Sequence, residues 1–345
     1  GYVMRLKEGS VFDPAKLKSV LSVVDEPLTE ECLSLVESIS SRYHCPKALV
    51  LRLFLPSEMR KGAVRELFKT IAVLKDGTAE IPARAKAQAA AFAFLQNNPR
   101  FGYTELCDRF GRGAVNALAE KGVISLEKER VLRTPYSGVQ GQAAERTLTP
   151  AQSAAVENIG KSEKTVQLLH GVTGSGKTEI YLTLIAKALA EGKNAIFLVP
   201  EISLTPQMFS QLRARFGDSA AILHSGLSAG EKFDEWQRLR TGEAKIAVGA
   251  RSAVFAPVEN IGVIILDEEH DGSYASETAP RYNTAEIAEL RAKYNGCKLV
   301  LGSATPSVDT YLKATEGEYN LLKLPERINK RPMPEIIIAD MRREV

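Results

Sequence analysis

No stretch of this sequence approaches the ~20 apolar residues a helix needs to span a bilayer. No charged N-terminal segment leads into an apolar run either, so neither a membrane span nor a secretory signal is expected. Cysteine is scarce: Cys32, Cys45, Cys107 and Cys297 are the four, and none sits in a C-x-x-C pair. That argues against a zinc or dithiol motif and suits buried thiols in a reducing compartment, so a cytoplasmic protein is expected. Charge excess is lacking too. Lys and Arg number 45 against 42 Asp and Glu, a net +3, so any nucleic-acid surface must be local. The single tryptophan, Trp236, lies on an amphipathic pattern and reads as core. No internal repeat or low-complexity tract appears. The chain opens on Gly1 rather than Met, which suggests a trimmed piece of something longer.

What is present is enough for packed cores. The hydrophobic fraction is 44% over 345 residues, a length that fits two or three domains. Residues 1–62 carry helical patterns over Pro14–Val24 and Thr29–Ser40, then a mixed segment ending at Pro56. Residues 63–140 open a second region. Ala83–Gln96, Tyr103–Phe110 and Arg112–Lys121 predict three helices, stopped at Gly111 and Gly122. Val123–Leu126 and Arg130–Arg133 then alternate as two strands around Glu127-Lys128-Glu129. Three helices followed by a β-hairpin make a winged-helix pattern. Between Ala83 and Thr134 there are nine Lys/Arg and five Asp/Glu, a modest basic excess. Such a module either contacts DNA or serves as a scaffold, and the sequence leaves both open. Thr134–Arg146 reads as a linker punctuated by Pro, Gly and Ser.

In the third region, 141–345, apolar runs alternate with helical patterns. The runs are Val166–Leu169, Ala195–Val199, Ala221–Leu223, Ile246–Val248, Val263–Leu266 and Leu299–Leu301. Helical patterns include Thr178–Ala190, Ser203–Phe216 and Glu231–Thr241. Continuous apolar strands between helices predict an α/β fold with a parallel sheet covered on both faces.

Chemistry concentrates at the ends of these strands. Gly171-Val172-Thr173-Gly174-Ser175-Gly176-Lys177-Thr178 matches G-x-x-x-x-G-K-[ST] between a strand and a helix. Gly171, Gly174, Ser175 and Gly176 let backbone N–H groups turn toward phosphate oxygens, and the helix N-terminus adds a positive dipole end. Lys177 would reach the β- and γ-phosphates of ATP, and Thr178 would ligate Mg²⁺. Asp267-Glu268-Glu269-His270 closes another strand. There Asp267 would hold Mg²⁺, and Glu268 would orient and deprotonate the attacking water. Gln152, after Thr149-Pro150, could read the two-faced edge of adenine, while Thr149 caps a helix. Ser303 and Thr305, in Gly302-Ser303-Ala304-Thr305-Pro306, could bond the Asp267–His270 segment and couple nucleotide state to another surface. Arg251 and Ser252 end a strand and suit DNA phosphate. His224-Ser225-Gly226 is similar but weaker. Asp271–Tyr282 brings Tyr274, Arg281 and Tyr282 into a polar loop, the residue types that base stacking and phosphate contact need.

Taken in order, these motifs resemble the PriA family of replication-restart helicases. The match runs through G-V-T-G-S-G-K-T-E, L-V-P-E-I-S-L-T-P-Q, H-S-G-L-S, R-S-A-V-F-A-P, D-E-E-H-D, P-R-Y and G-S-A-T-P-S, and it covers the whole chain. The resemblance implies a superfamily-2 motor. It would have a RecA-like P-loop lobe over 141–345, a winged helix over 63–140, and over 1–62 the remnant of a domain that binds DNA 3′ ends. It further implies ATP- and Mg²⁺-driven 3′ to 5′ movement on forked or single-stranded DNA. Primosomal proteins and single-stranded DNA-binding protein would be partners of a monomer. Asp271–Tyr282 would be the aromatic-rich loop that couples DNA to hydrolysis, with His270 and Thr305 in the relay.

The second lobe with its arginine finger, the zinc-binding cysteines and the C-terminal domain would lie outside this chain. Nucleotide binding with very slow turnover is therefore expected of it, an arginine finger contributing ~10³–10⁵ in rate where measured. Ala275-Ser276 stands where a basic or amide pair is usual in the family, and Ala250 where Thr is common. Both departures weaken the expected grip on DNA. Two other readings fit the same motifs: a nucleotide-gated binding module without motor activity, and a fork-reversal motor.

Overall fold

A computed structural model describes residues 28–55, 66–82, 84–133 and 147–328, with a few isolated positions besides. The helix expected over Pro14–Val24 and almost all of the linker expected over Thr134–Arg146 lie outside the described residues. The chain divides into two compact units. One comprises Lys61–Pro135 with Ser228–Asp234, and the other comprises the remainder.

The larger unit starts with helices α1 (Glu30–Arg42) and α2 (Lys47–Phe54). Thr29 caps α1 through its hydroxyl, which accepts from the Cys32 N–H, and Glu30 and Glu31 place negative charge at the positive end of the helix. Leu35, Val36, Ile39, Val50 and Phe54 bury their apolar faces in the same core as the sheet residues Ile264 and Leu266. These helices therefore pack as part of the larger unit's core.

The smaller unit has its own core of Ala72, Phe92, Leu95, Leu106, Val115, Leu118 and Ile124. Strand β1 (Leu67–Leu74) precedes α3 (Lys86–Asn97), β2 (Arg100–Gly102), α4 (Tyr103–Phe110), α5 (Arg112–Glu120) and β3 (Ile124–Val131). The three expected helices are there, but the expected hairpin is not. Residues 124–131 form one continuous strand, antiparallel to β1 in the order β2-β1-β3. Glu127-Lys128-Glu129 looks like a turn because it is all charged. On an edge strand the same charges alternate, and Glu127 and Glu129 meet Lys75 and Arg100 across the sheet. Three helices and a three-stranded antiparallel sheet thus share this core.

The rest of the larger unit is a parallel sheet of seven strands in the order β10-β4-β9-β8-β5-β7-β6. The strands are β4 (Val166–Gly171), β5 (Asn194–Leu198), β6 (Ala220–Leu223), β7 (Ile246–Gly249), β8 (Ile261–Asp267), β9 (Lys298–Ser303) and β10 (Asn320–Leu324). The connecting helices are α6 (Pro150–Lys161), α7 (Lys177–Ala190), α8 (Pro206–Phe216), α9 (Ala229–Arg240), α10 (Thr284–Asn295) and α11 (Val308–Thr315). Each strand expected from an apolar run is present. β10 was not expected, because Asn320-Leu321-Leu322-Lys323-Leu324 is short and interrupted by a lysine. Trp236 is buried, as its pattern suggested. No described helix is long and apolar enough to cross a membrane.

Candidate active site

The strand order decides which residues meet. β9 lies between β4 and β8, with His170 opposite Ser303 and Asp267 opposite Gly302. The phosphate-type loop and the acidic strand end thus reach the same edge of the sheet, the carboxyl ends of its strands, where ligands of open α/β sheets bind.

Residues 172–176 turn from β4 into α7. Gly174 and Gly176 take φ of +83° and +80°, a conformation that glycine adopts without strain. The Ser175 N–H donates to the Val172 carbonyl. Lys177 Nζ donates to the Gly171 carbonyl at 2.9 Å and stands 4.0 Å from Glu268 Oε1. Thr178 is exposed in the first turn of α7. Gln152 is 2% exposed, with both ends of its amide in use. Nε2 donates to the Ser175 carbonyl at 3.0 Å, and Oε1 accepts from the Thr149 N–H at 2.8 Å. Here Gln152 supports the loop from beneath, and its amide would have to turn to address a base. Two contacts at the loop carry no sequence signal. The Ile328 N–H donates to the Gly174 carbonyl, and the Val172 N–H to the Leu324 carbonyl.

Asp267 ends β8. Its Oδ1 accepts from the Tyr181 hydroxyl at 2.9 Å and from the Glu268 N–H at 3.1 Å. Burial is the main cause that raises the Asp267 pKa above the usual aspartate range, and Glu268 adds to it. Glu268 has φ of +46°, an uncommon conformation for a non-glycine residue and one that tends to mark functional positions. Its Oε2 lies 3.7 Å from His270 Nδ1. Ser303 Oγ is 2.8 Å from that same Nδ1, and Thr305 Oγ1 is 3.4 Å from Nε2. One imidazole therefore ties the acidic segment to the end of β9. Glu269 points elsewhere: it accepts from the Ser307 N–H at 2.7 Å and anchors the start of α11.

The residues expected to meet DNA divide. Ser252 and Arg281 are exposed. Arg251 donates to the carbonyls of Ser273 and Ala275, at 3.3 and 2.6 Å, so it holds the loop that follows Asp267. Tyr274 and Tyr282 are 2% and 4% exposed, and neither offers a ring face for base stacking in this conformation. The Tyr274 hydroxyl donates to the Asp267 carbonyl at 2.8 Å. The Tyr282 ring packs edge-on against Phe255, 5.0 Å between centroids, and burial pushes its phenol up to about 12. Aromatic residues in a polar segment suggested stacking. The fold instead uses both as wedges, because each ring buries a large apolar area.

The loop suits a nucleoside triphosphate with Mg²⁺ on its own features. Two positive-φ glycines shape it, a helix N-terminus points into it, and an ammonium stands beside it. Ser175 Oγ is buried with no hydrogen-bond partner among the described residues. Asp267 offers a carboxylate oxygen, Oδ2, beyond the one its two neighbours hold. No group of three or more His, Cys, Asp or Glu that could hold a metal ion by themselves occurs among the described residues. A cation here would therefore depend on Thr178, Asp267 and a bound phosphate.

The fold and this strand-end constellation are those of a P-loop lobe built on a parallel α/β sheet. The DEAD/DEAH box helicase family matches residues 149–314, and a family described as 3'DNA-binding domain matches residues 1–56. The replication restart protein PriA of Bacillus subtilis is 48% identical over 272 residues, which cover 76% of this chain and 34% of that protein. PriA of Chlamydia pneumoniae is 35% identical over 352 residues, covering 95% of this chain and 46% of that one. The structure of RecG bound to a three-way DNA junction is 24% identical, with a TM-score of 0.39, over 55% of this chain and 25% of that chain. The chain belongs to the PriA family of replication restart proteins, and it spans less than half the length of those two relatives.

Proposed function

We propose that this chain is the nucleotide-binding part of an ATP-dependent DNA helicase of replication restart, one that moves 3′ to 5′ on forked or single-stranded DNA. The observation that carries this reading is the convergence of Lys177, Asp267, Glu268 and the His270–Ser303–Thr305 relay on one edge of the sheet. The loop amides from Gly171 to Thr178 and the Lys177 ammonium bind the phosphates. Thr178 and Asp267 hold Mg²⁺, which when bound withdraws charge from the phosphate oxygens. Glu268 positions a water and accepts its proton. Its contacts with Lys177 and His270 place that carboxylate between the phosphate site and the β9 relay. Ser252 and Arg281 meet DNA phosphates. Arg251, Tyr274 and Tyr282 hold the 271–282 loop, so that a shift of the loop on DNA reaches Asp267 through its own carbonyl. Primosomal proteins and single-stranded DNA-binding protein are the partners this family membership suggests.

The test is nucleotide binding followed by fluorescence of a labelled ADP, with Lys177→Ala beside the wild type. Saturable binding that Lys177→Ala abolishes, in a variant that melts like the wild type, is the expected outcome. Turnover by the chain alone should stay very slow even with forked DNA. Equal binding by the variant would overturn the assignment of the site. In a longer protein of this type, hydrolysis unaffected by DNA would favour a nucleotide-gated binding module over a motor.

A further inference from the structure

Tyr181 is the residue of this site that carries no motif. It lies one turn beyond Lys177 on α7, on the same helix face, and it is fully buried. A tyrosine in that position reads as core, and its ring does pack against Phe197 of β5, 5.7 Å between centroids. Its hydroxyl, however, donates to Asp267 Oδ1 at 2.9 Å. The space it occupies is reserved by another residue. A Cβ on Gly302, directly across from Asp267 in the sheet, would lie 1.6 Å from the Tyr181 hydroxyl oxygen. Glycine at 302 therefore keeps open the passage through which α7 reaches the strand end of β8. Asp267 is gripped from two sides, its carboxylate by Tyr181 and its main-chain carbonyl by Tyr274.

We propose that Tyr181 is a positioning residue that locks the Asp267 carboxylate from the helix that bears Lys177. Both short hydrogen bonds to the carboxylate fall on Oδ1, so the rotation of the group is set and Oδ2 is the oxygen offered to a cation. The phenol is suited to this. A buried tyrosine hydroxyl stays protonated and can only donate to a carboxylate. Any movement of α7 that follows phosphate binding at Lys177 is delivered to Asp267 through one rigid ring. This rests on the reading of the site as one for a nucleotide with a divalent cation.

The experiment measures Mn²⁺ affinity by electron paramagnetic resonance in the presence of ADP, and ADP affinity without metal, for wild type, Tyr181→Phe and Tyr274→Phe. Loss of a hydrogen bond that orients a ligand typically costs 10–100-fold in metal affinity. Tyr181→Phe should weaken Mn²⁺ about tenfold and leave metal-free ADP affinity within about twofold. Tyr274→Phe keeps the carboxylate's own hydrogen bond and should have the smaller effect on Mn²⁺. Unchanged Mn²⁺ affinity in Tyr181→Phe would overturn the proposal. Should that variant fail to fold, 3-fluorotyrosine at 181 keeps the ring and strengthens the donor, and Mn²⁺ affinity should then hold or rise; a fall would overturn the proposal. Absence of ADP binding by the wild type would instead sink the reading of the site, a distinct failure.

Discussion

Removal of Glu31 tests the packing of α1 on the helicase lobe. Arg291 on α10 is 2% exposed, and its guanidinium makes a two-pronged pair with Glu31: Nε to Oε1 at 2.7 Å and Nη2 to Oε2 at 3.0 Å. The remaining donors go to main-chain carbonyls, Val254 and Ala256 from Nη1 and Val258 from Nη2. Asn295 adds a hydrogen bond to Glu31 at 3.0 Å. Breaking a buried pair by removing one partner costs ~3–5 kcal/mol, because the other charge is left without its counter-ion. Glu31→Ala should fall near 3 kcal/mol, since the guanidinium keeps its three carbonyls. Arg291→Ala should cost more. It strands a carboxylate, and each orphaned carbonyl adds ~1–3 kcal/mol where water cannot reach it. Glu31→Leu with Arg291→Met removes both charges and should cost less than Arg291→Ala alone. Urea unfolding followed at Trp236 is the assay, since the single tryptophan is buried in the same compact unit. A Glu31→Ala variant within ~1 kcal/mol of the wild type would refute the reasoning, and with it the view that α1 is tied to the lobe by this pair.

Three further outcomes are expected. Gly302→Ala drives a methyl group into the Tyr181 hydroxyl; overpacking of this kind costs ~1–3 kcal/mol, visible as a lower melting temperature. Gly176→Ala forces a side chain into a positive-φ position, where its Cβ would lie 2.3 Å from Gln152 Nε2, so nucleotide binding should be lost while far-ultraviolet circular dichroism is kept. The third concerns pH. Arg42 holds the Glu286 carboxyl below the usual glutamate range, with help from Tyr43. A lowered native pKa stabilises the fold above the usual range, and that contribution disappears as pH falls through the lowered value. The stability gap between wild type and Glu286→Gln should therefore be present at neutral pH and close in acid. A gap that widens on acidification would contradict this contact.

Strands β4 to β9 were legible because a strand buried on both faces must be apolar throughout, a local property of composition. The loop from Gly171 to Thr178 was legible for a similar reason: its glycines, lysine and threonine are consecutive. β1 and the true course of β3 were not. Charged alternation on an edge strand and a polar turn use the same residues, and only the partner strand tells them apart. Tyr274 and Tyr282 show the limit most clearly, since a tyrosine in a polar segment can stack on a base or fill a core.

The sequence by itself determined that this chain carries a P-loop, an acidic strand end and a hydroxyl-bearing strand end, because each is a run of neighbours. The tertiary structure alone decided that β9 lies between β4 and β8, the arrangement through which Ser303 meets His270 as the motif at the end of β9 suggests. It likewise decided that Tyr181 reaches across Gly302 to Asp267, and that Glu31 meets Arg291 some 260 positions along the chain. Contacts between residues so far apart are set by how helices and strands pack, and no local pattern of residue types records them.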